Sequence, residues 1–205
     1  GNIGIVEHGR LVHDQLIRNE FDWDPELKNA LIDMYAKCRS LSEADKVFKT
    51  VNMREVVAWN SLIGGYSQQG QSENVLGLFR DMQKEGLMPD KVTFSFTLKA
   101  CASMETLNHG RLLHDKIMKI GLDFDVVVGS AIVDMYCKCK SLKDGRKVFE
   151  GIRGRNLVSW NAIISGHMQC DKDQPALELF EQMQLEGVEP NYVTLSCILK
   201  SCSNL

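Results

Sequence analysis

This sequence is poor in the features that usually announce chemistry. Its seven cysteines, at 38, 101, 137, 139, 170, 197 and 202, include no Cys-x-x-Cys pair and no secreted-type framework, which points to free thiols in a reducing compartment. No apolar run approaches the ~20 residues of a membrane span, so no membrane partner is expected. There is no Gly-rich phosphate loop, no nucleophile elbow and no G-x-G-x-x-G, so neither catalysis nor a cofactor is expected. His8 and His13, like His109 and His114, are five residues apart, whereas zinc ligands sharing a helical face need i, i+3 or i, i+4 spacing. Cys137 with Cys139 and Cys197 with Cys202 fail the same test, and no metal site is expected. The formal net charge is −3 with no acidic or basic tail. That argues against holding nucleic acid by bulk electrostatics, although it leaves room for a local basic groove. The opening residues, GNIGIVEHGR, lack an initiating Met and read as neither a signal nor a transit peptide, as expected for a segment of a longer protein.

What the sequence does have is repetition. VVAWNSLIGGYSQQGQSENVLGLFRDMQKEGLMPD, residues 56–90, returns in pattern as LVSWNAIISGHMQCDKDQPALELFEQMQLEGVEPN, residues 157–191. Residues 8–24 recur at 109–125 and residues 29–48 at 130–149, all at an offset of 101, so several different units repeat as a block. Turn residues divide the chain at 25–55, 56–90, 91–125, 126–156 and 157–191, with partial units 1–24 and 192–205. A period of a few tens of residues is the signature of a stacked repeat protein, whose uncapped end faces should favour self-association.

Within each unit the apolar period is helical. Trp59, Leu62, Ile63 and Tyr66 follow i, i+3, i+4, i+7, and Val75, Leu76, Leu78, Phe79 and Met82 form a second stripe after Gly70. Leu31, Ile32, Met34 and Tyr35, then Ala44, Val47 and Phe48, repeat that grammar, and Gly86 and Pro89 close a pair. Met34, Met82, Met135 and Met183 fall on these stripes as core filling. The expected fold class is therefore all-α, an α-solenoid of antiparallel helix pairs.

Tetratricopeptide repeats share a period of about 34 residues and a Trp and Pro placement. Here, however, unit lengths run 31, 35, 35, 31, 35, and Trp-Asn recurs at 59–60 and 160–161, with unit boundaries at Pro89-Asp90 and Pro190-Asn191. On those features the sequence resembles the plant-type pentatricopeptide repeat family, in its subclass of P, L and S motifs in rotation. VVAWNSLIGGYSQQG and LVSWNAIISGH resemble P motifs, HGRLLHDKIMKIGLDFD an L motif, and NALIDMYAKCRSL an S motif.

The resemblance implies single-stranded RNA binding with one base read per unit. By the family's pattern the fifth and last residues of a unit read the base. The pairs are then Asn29 with Glu55, Asn60 with Asp90, Ser95 with Asp125, Ser130 with Asn156, and Asn161 with Asn191, and Ser196 opens a further pair. The second residues, Val57, Val92, Val127, Val158 and Val193, would pack between bases, and Lys37 and Lys138 would touch phosphate. Read through the family's code, the chain addresses 5′-N-U-G-A-Y-3′, with the first complete unit unassigned because Glu55 and Glu26 depart from the pattern. The resemblance further implies a role in organellar RNA editing or processing, in mitochondrion or chloroplast. Relatives of this subclass can carry a zinc deaminase-like domain, whose H-x-E and C-x-x-C elements are absent from these residues. The alternative is a helical scaffold that recruits small accessory proteins.

Chemically, asparagine suits base reading because it offers an acceptor and two N–H donors, and a neighbouring Asp or Asn can orient it. Each residue also has a local reading. Asn and Ser near a helix start are ordinary caps, Asp or Asn after Pro is ordinary turn chemistry, the valines could staple against the next helix, and the lysines could answer the helix macrodipole.

Overall fold

The computed structural model describes residues 2–21, 24–52 and 54–205, with side chains from Ile5 onward. Asp22 and Trp23, inside the first copy of the long repeated segment, lie outside the described residues, as do Gly1 and Met53. Among the described residues every regular element is a helix: α1 (Asn2–Arg18), α2 (Pro25–Lys37), α3 (Leu41–Lys49), α4 (Val56–Gln68), α5 (Ser72–Lys84), α6 (Lys91–Ser103), α7 (Leu107–Lys119), α8 (Val126–Lys138), α9 (Leu142–Gly151), α10 (Leu157–Gln169), α11 (Asp173–Leu185) and α12 (Tyr192–Asn204). None of them is long and apolar enough to cross a membrane. The chain forms two compact units, Gly1–Ala100 and Cys101–Leu205, and α6 crosses the division.

Local chemistry sets where the helices start and stop. Asp24 caps α2 by accepting from the Glu26 and Leu27 N–H groups at 2.8 and 3.1 Å, with Pro25 at the first helical position, where its missing N–H costs nothing. Asp125, Asn156 and Asn191 cap α8, α10 and α12 in the same way. The first helices end on a left-handed residue followed by an N–H that reaches back to an orphan carbonyl, as from Ser40 to Tyr35 at 2.8 Å and from Lys172 to His167 at 2.9 Å. The second helices α5, α7 and α11 close through glycine: Gly86 after α5 has φ +78°, and the Leu87 N–H returns to Met82 at 3.2 Å.

In the first unit α2 packs on α3 and α4, and α4 on α5. Buried Trp59 meets Phe48 edge-on at 4.7 Å, and the Arg54 guanidinium lies 4.8 Å from the other aromatic ring of that contact, Phe48. Arg54 also donates to the Phe48 carbonyl at 3.2 Å and to Glu85, so one side chain ties the end of α3 to the end of α5. The second unit repeats the arrangement: Trp160 on Phe149 at 4.7 Å, Arg155 4.9 Å from the Phe149 ring and 2.6 Å from Glu186. His13 and His114 stand edge-on to Tyr35 and Tyr136, with Nδ1 at 3.1 and 3.0 Å from the phenol oxygens, which gives these histidines a packing role. Met82, Met135 and Met183 are fully buried. All seven cysteines are free, and burial, assisted by Asp134, pushes the Cys137 thiol up to about 12, so it stays protonated.

Glycine permits the closest approach between neighbouring first helices. A Cβ on Gly65 of α4 would stand 2.7 Å from the Ala36 Cβ and 3.2 Å from its Cα on α2, and a Cβ on Gly166 of α10 would stand 2.3 Å from the Cys137 Cβ on α8. Gly77 in α5 meets nothing within 4 Å. Helix propensity alone would favour alanine at all three. We predict opposite signs: Gly65→Ala and Gly166→Ala should destabilise by about 1–3 kcal/mol through overpacking. Gly77→Ala should stabilise by about 0.5–1 kcal/mol. Urea unfolding of the three variants measures this, and destabilisation of Gly77→Ala would contradict it.

Candidate functional site

At two places the fifth residue of a first helix is joined to the residue that caps the first helix of the next pair. In the first unit, Asn60 Nδ2 donates to both Asp90 carboxylate oxygens at 3.0 Å, and Thr93 Oγ donates to Asn60 Oδ1 at 2.6 Å. Asp90 meanwhile caps α6, accepting from the Val92 and Thr93 N–H groups at 2.9 Å. The two N–H bonds of an amide diverge too widely to meet one carboxylate together, so one N–H is shared by the two oxygens and the other stays available. Asn60 Oδ1 likewise keeps a second lone pair. Asn60 thus presents one donor and one acceptor in a fixed plane.

The second unit builds the same cluster from a neutral cap. Asn161 Nδ2 donates to Asn191 Oδ1 at 3.2 Å, and Thr194 Oγ donates to Asn161 Oδ1 at 2.6 Å. The Thr194 N–H donates to Asn191 Oδ1 at 3.1 Å, which fixes the Asn191 oxygen, and not its nitrogen, toward Asn161.

The other expected pairs are built differently. Asn29 and Glu55 are not joined: Asn29 Oδ1 is buried without a hydrogen-bond partner among the described residues, and Glu55 makes no side-chain cap. The place of Thr93 is taken there by Ala58, which has no hydroxyl to give. Ser130, 3% exposed, donates to the Val126 carbonyl at 2.6 Å, while Asn156 closes a capping box with Ser159. A serine hydroxyl is too short to span to the next cap and turns to its own helix. Ser95 does likewise, donating to the Lys91 carbonyl at 2.7 Å; it belongs to the first unit and Asp125 to the second. Ser196 is exposed on α12.

The valines do not staple against a neighbouring helix. Val57, Val92, Val127, Val158 and Val193 are 41% to 63% exposed, whereas the next residue in each case, Ala58, Thr93, Val128, Ser159 or Thr194, is 0% exposed. An exposed β-branched residue in the first helical turn, repeated in register, is apolar surface without an internal use. Lys37 and Lys138 are held by carboxylates one turn earlier on their own helices, Asp33 at 2.6 Å and Asp134 at 2.7 Å. Such i, i+4 pairs contribute only about 0.3–0.5 kcal/mol, so a competing anion could displace them.

The threonines were missed from sequence alone. Their signal is the shared pattern Asp90-x-Val92-Thr93 and Asn191-x-Val193-Thr194.

Burial by itself would push the Asp90 carboxyl up, but hydrogen bonds from the Thr93 N–H, Asn60, the Thr93 hydroxyl and the Val92 N–H outweigh it and hold Asp90 below the usual carboxylate range. A depressed folded-state pKa gives stability that is fully present above the unfolded value and is lost as pH falls through the folded one. The stability advantage of the natural chain over Asp90→Asn should therefore hold from about pH 7 to about pH 5 and shrink below about pH 4. Denaturant unfolding at several pH values checks this, and a constant difference would contradict it.

Comparison with known proteins matches this architecture. A model of the PPR repeat family matches residues 54–103 and 155–204, and a PPR repeat model matches residues 28–54 and 130–157. A pentatricopeptide repeat-containing protein of Arabidopsis thaliana is 41% identical over 203 residues, covering 99% of this chain and 28% of its own length. Two others from the same plant, one named chloroplastic and one named mitochondrial, are each 36% identical, over 197 and 195 residues, covering 96% and 95% of this chain and 24% and 31% of their own lengths. The chain therefore spans less than a third of these relatives. The crystal structure of the pentatricopeptide repeat protein PPR10 in complex with an 18-nt psaJ RNA element aligns over 100% of this chain and 31% of that one, with a TM-score of 0.83 at 20% identity. With its tandem helix pairs and these matches, the chain belongs to the pentatricopeptide repeat family and has the all-α, helical-repeat solenoid fold.

Proposed function

We propose that this chain binds single-stranded RNA, one base per helix pair, as the RNA-recognition part of an organellar RNA editing or processing factor. The observation that carries the reading is the cluster built twice, Asn60 with Asp90 and Thr93 and Asn161 with Asn191 and Thr194, each beside exposed valines. An amide locked with one donor and one acceptor outward matches the alternating donor and acceptor edge of a pyrimidine, and an exposed valine can lie against a base face. PPR10 was crystallised with RNA, and relatives named chloroplastic and mitochondrial support an organellar setting.

In this proposal the units follow the P, L and S rotation: S-type 25–55 and 126–156, P-type 56–90 and 157–191, L-type 91–125, and partial L-type 1–24 and 192–205. The target reads 5′-N-U-G-A-Y-3′. Four assigned bases at roughly 1–3 kcal/mol each set against an association cost of about 4–15 kcal/mol make this stretch a weak binder by itself. The exposed lysines supply a small electrostatic share.

Two tests follow. Fluorescence anisotropy with a labelled RNA containing UGAC or UGAU, against a scrambled RNA of equal composition, should show tighter binding to the matched sequence, and Asn60→Ala or Asn161→Ala should weaken it by roughly fivefold to a hundredfold. Equal binding to both RNAs by a folded sample would favour the protein-scaffold alternative. Replacing Lys37 and Lys138 by Ala should weaken all RNAs alike and flatten the salt dependence by up to about one counterion per lysine. An unchanged salt slope would assign the lysines to helix stability alone.

A further inference from the structure

We infer that the buried threonine at the third place of the following helix pair, Thr93 for Asn60 and Thr194 for Asn161, is a positioning residue that sets how strictly each asparagine selects its base. The inference rests on the RNA-binding proposal and adds to it a residue that does not itself touch RNA.

Each threonine hydroxyl has a single proton to give. Thr93 Oγ accepts the Asp90 N–H at 3.2 Å, and Thr194 Oγ accepts the Asn191 N–H at 3.2 Å, so each oxygen is held from behind. The remaining O–H has two acceptors in reach. The asparagine amide oxygen is the nearer, at 2.6 Å in both clusters, against 2.9 and 3.1 Å to the cap oxygen. Both threonines are 0% exposed, so water does not compete for that proton. The amide is therefore gripped at both ends, its nitrogen by the cap oxygen and its oxygen by the hydroxyl. Turning it over would set oxygen against oxygen at the cap and exchange the donor and acceptor shown to a base. Selectivity depends on preventing that exchange and on holding the amide plane still.

The chain carries its own controls. Asn29 is an amide at the same place in its helix, but the third residue of the next pair is Ala58, and the Asn29 oxygen is left buried without a partner among the described residues. Ser130 is followed by a hydroxyl, Ser159, but has no amide to grip, and Ser159 instead donates to the Asn156 carbonyl at 2.8 Å. The hydroxyl turns to the preceding helix where that helix offers an asparagine.

The test measures base preference separately from affinity. The 205-residue chain is titrated by anisotropy against RNAs that differ only at the base opposite Asn60, and separately at the base opposite Asn161. Thr93→Val, nearly isosteric, should lower the preference for U at the first base about threefold to tenfold, the worth of one neutral hydrogen bond, and leave the preference at the second base unchanged. Thr93→Ser should keep the preference. A residue that only held the helix would weaken every RNA alike and leave both ratios unmoved. Ala58→Thr is the gain-of-function arm and should sharpen the spread among the four bases opposite Asn29, so the inference stays testable should Thr93→Val fail to fold. If Asn60→Ala weakens binding while Thr93→Val and Ala58→Thr leave every ratio at its natural value, the positioning role is wrong and the RNA proposal stands. If Asn60→Ala has no effect on matched RNA, or the folded natural chain binds none, the RNA proposal fails and this inference fails with it.

Discussion

A helix-capping oxygen that must serve two helices at once is the constraint on which the candidate site depends. Asp90 and Asn191 satisfy the orphan N–H groups at the start of α6 and α12, as any N-cap would, and with the same side chain they hold the amide of the preceding pair. The double use is possible because α4 lies beside α6 and α10 beside α12, so that Asn60 and Asn161 reach the heads of the following first helices. Helix capping and the orientation of the amide are thereby coupled. Each asparagine is ordered by the side chain that starts the next helix, so its geometry is set by the fold itself.

The packing around the caps keeps that registration. Arg54 and Arg155 each stack on a phenylalanine, satisfy its carbonyl and reach a glutamate at the far end of the following pair, so one guanidinium connects successive elements. Gly65 and Gly166 let one first helix settle against its neighbour at a spacing that any side chain would widen. The edge-on Trp59–Phe48 and Trp160–Phe149 contacts fill the space beside them. Each contact lies between adjacent pairs, the nearest-neighbour pattern expected of a stacked array.

The two clusters also differ in charge. Asp90 carries a carboxylate stabilised by three donors, the Asn60 amide and the Val92 and Thr93 N–H groups, whereas Asn191 offers one oxygen inward and leaves an amide nitrogen on its other side. The same scaffold thus sets an anion beside one asparagine and a neutral dipole beside the other. A chain with a net charge of −3 does not recruit a polyanion by field alone.

What the sequence by itself determined is local in origin. The helical class follows from apolar periodicity, the helix starts from Asp24, Asp125, Asn156 and Asn191, and the closing turns from Gly86 and Gly187, because each depends on a few neighbouring residues. Candidate base-reading residues could be placed by register, yet register treats Asn29, Asn60 and Asn161 as equals. Only the tertiary structure separated them. It joined Asn60 and Asn161 to a cap and a buried threonine, left Asn29 facing Ala58, turned Ser130 back onto its own helix and exposed the valines. The physical reason is reach: whether an amide meets a partner about thirty residues away depends on the distance between two helices, which the local sequence of neither helix fixes.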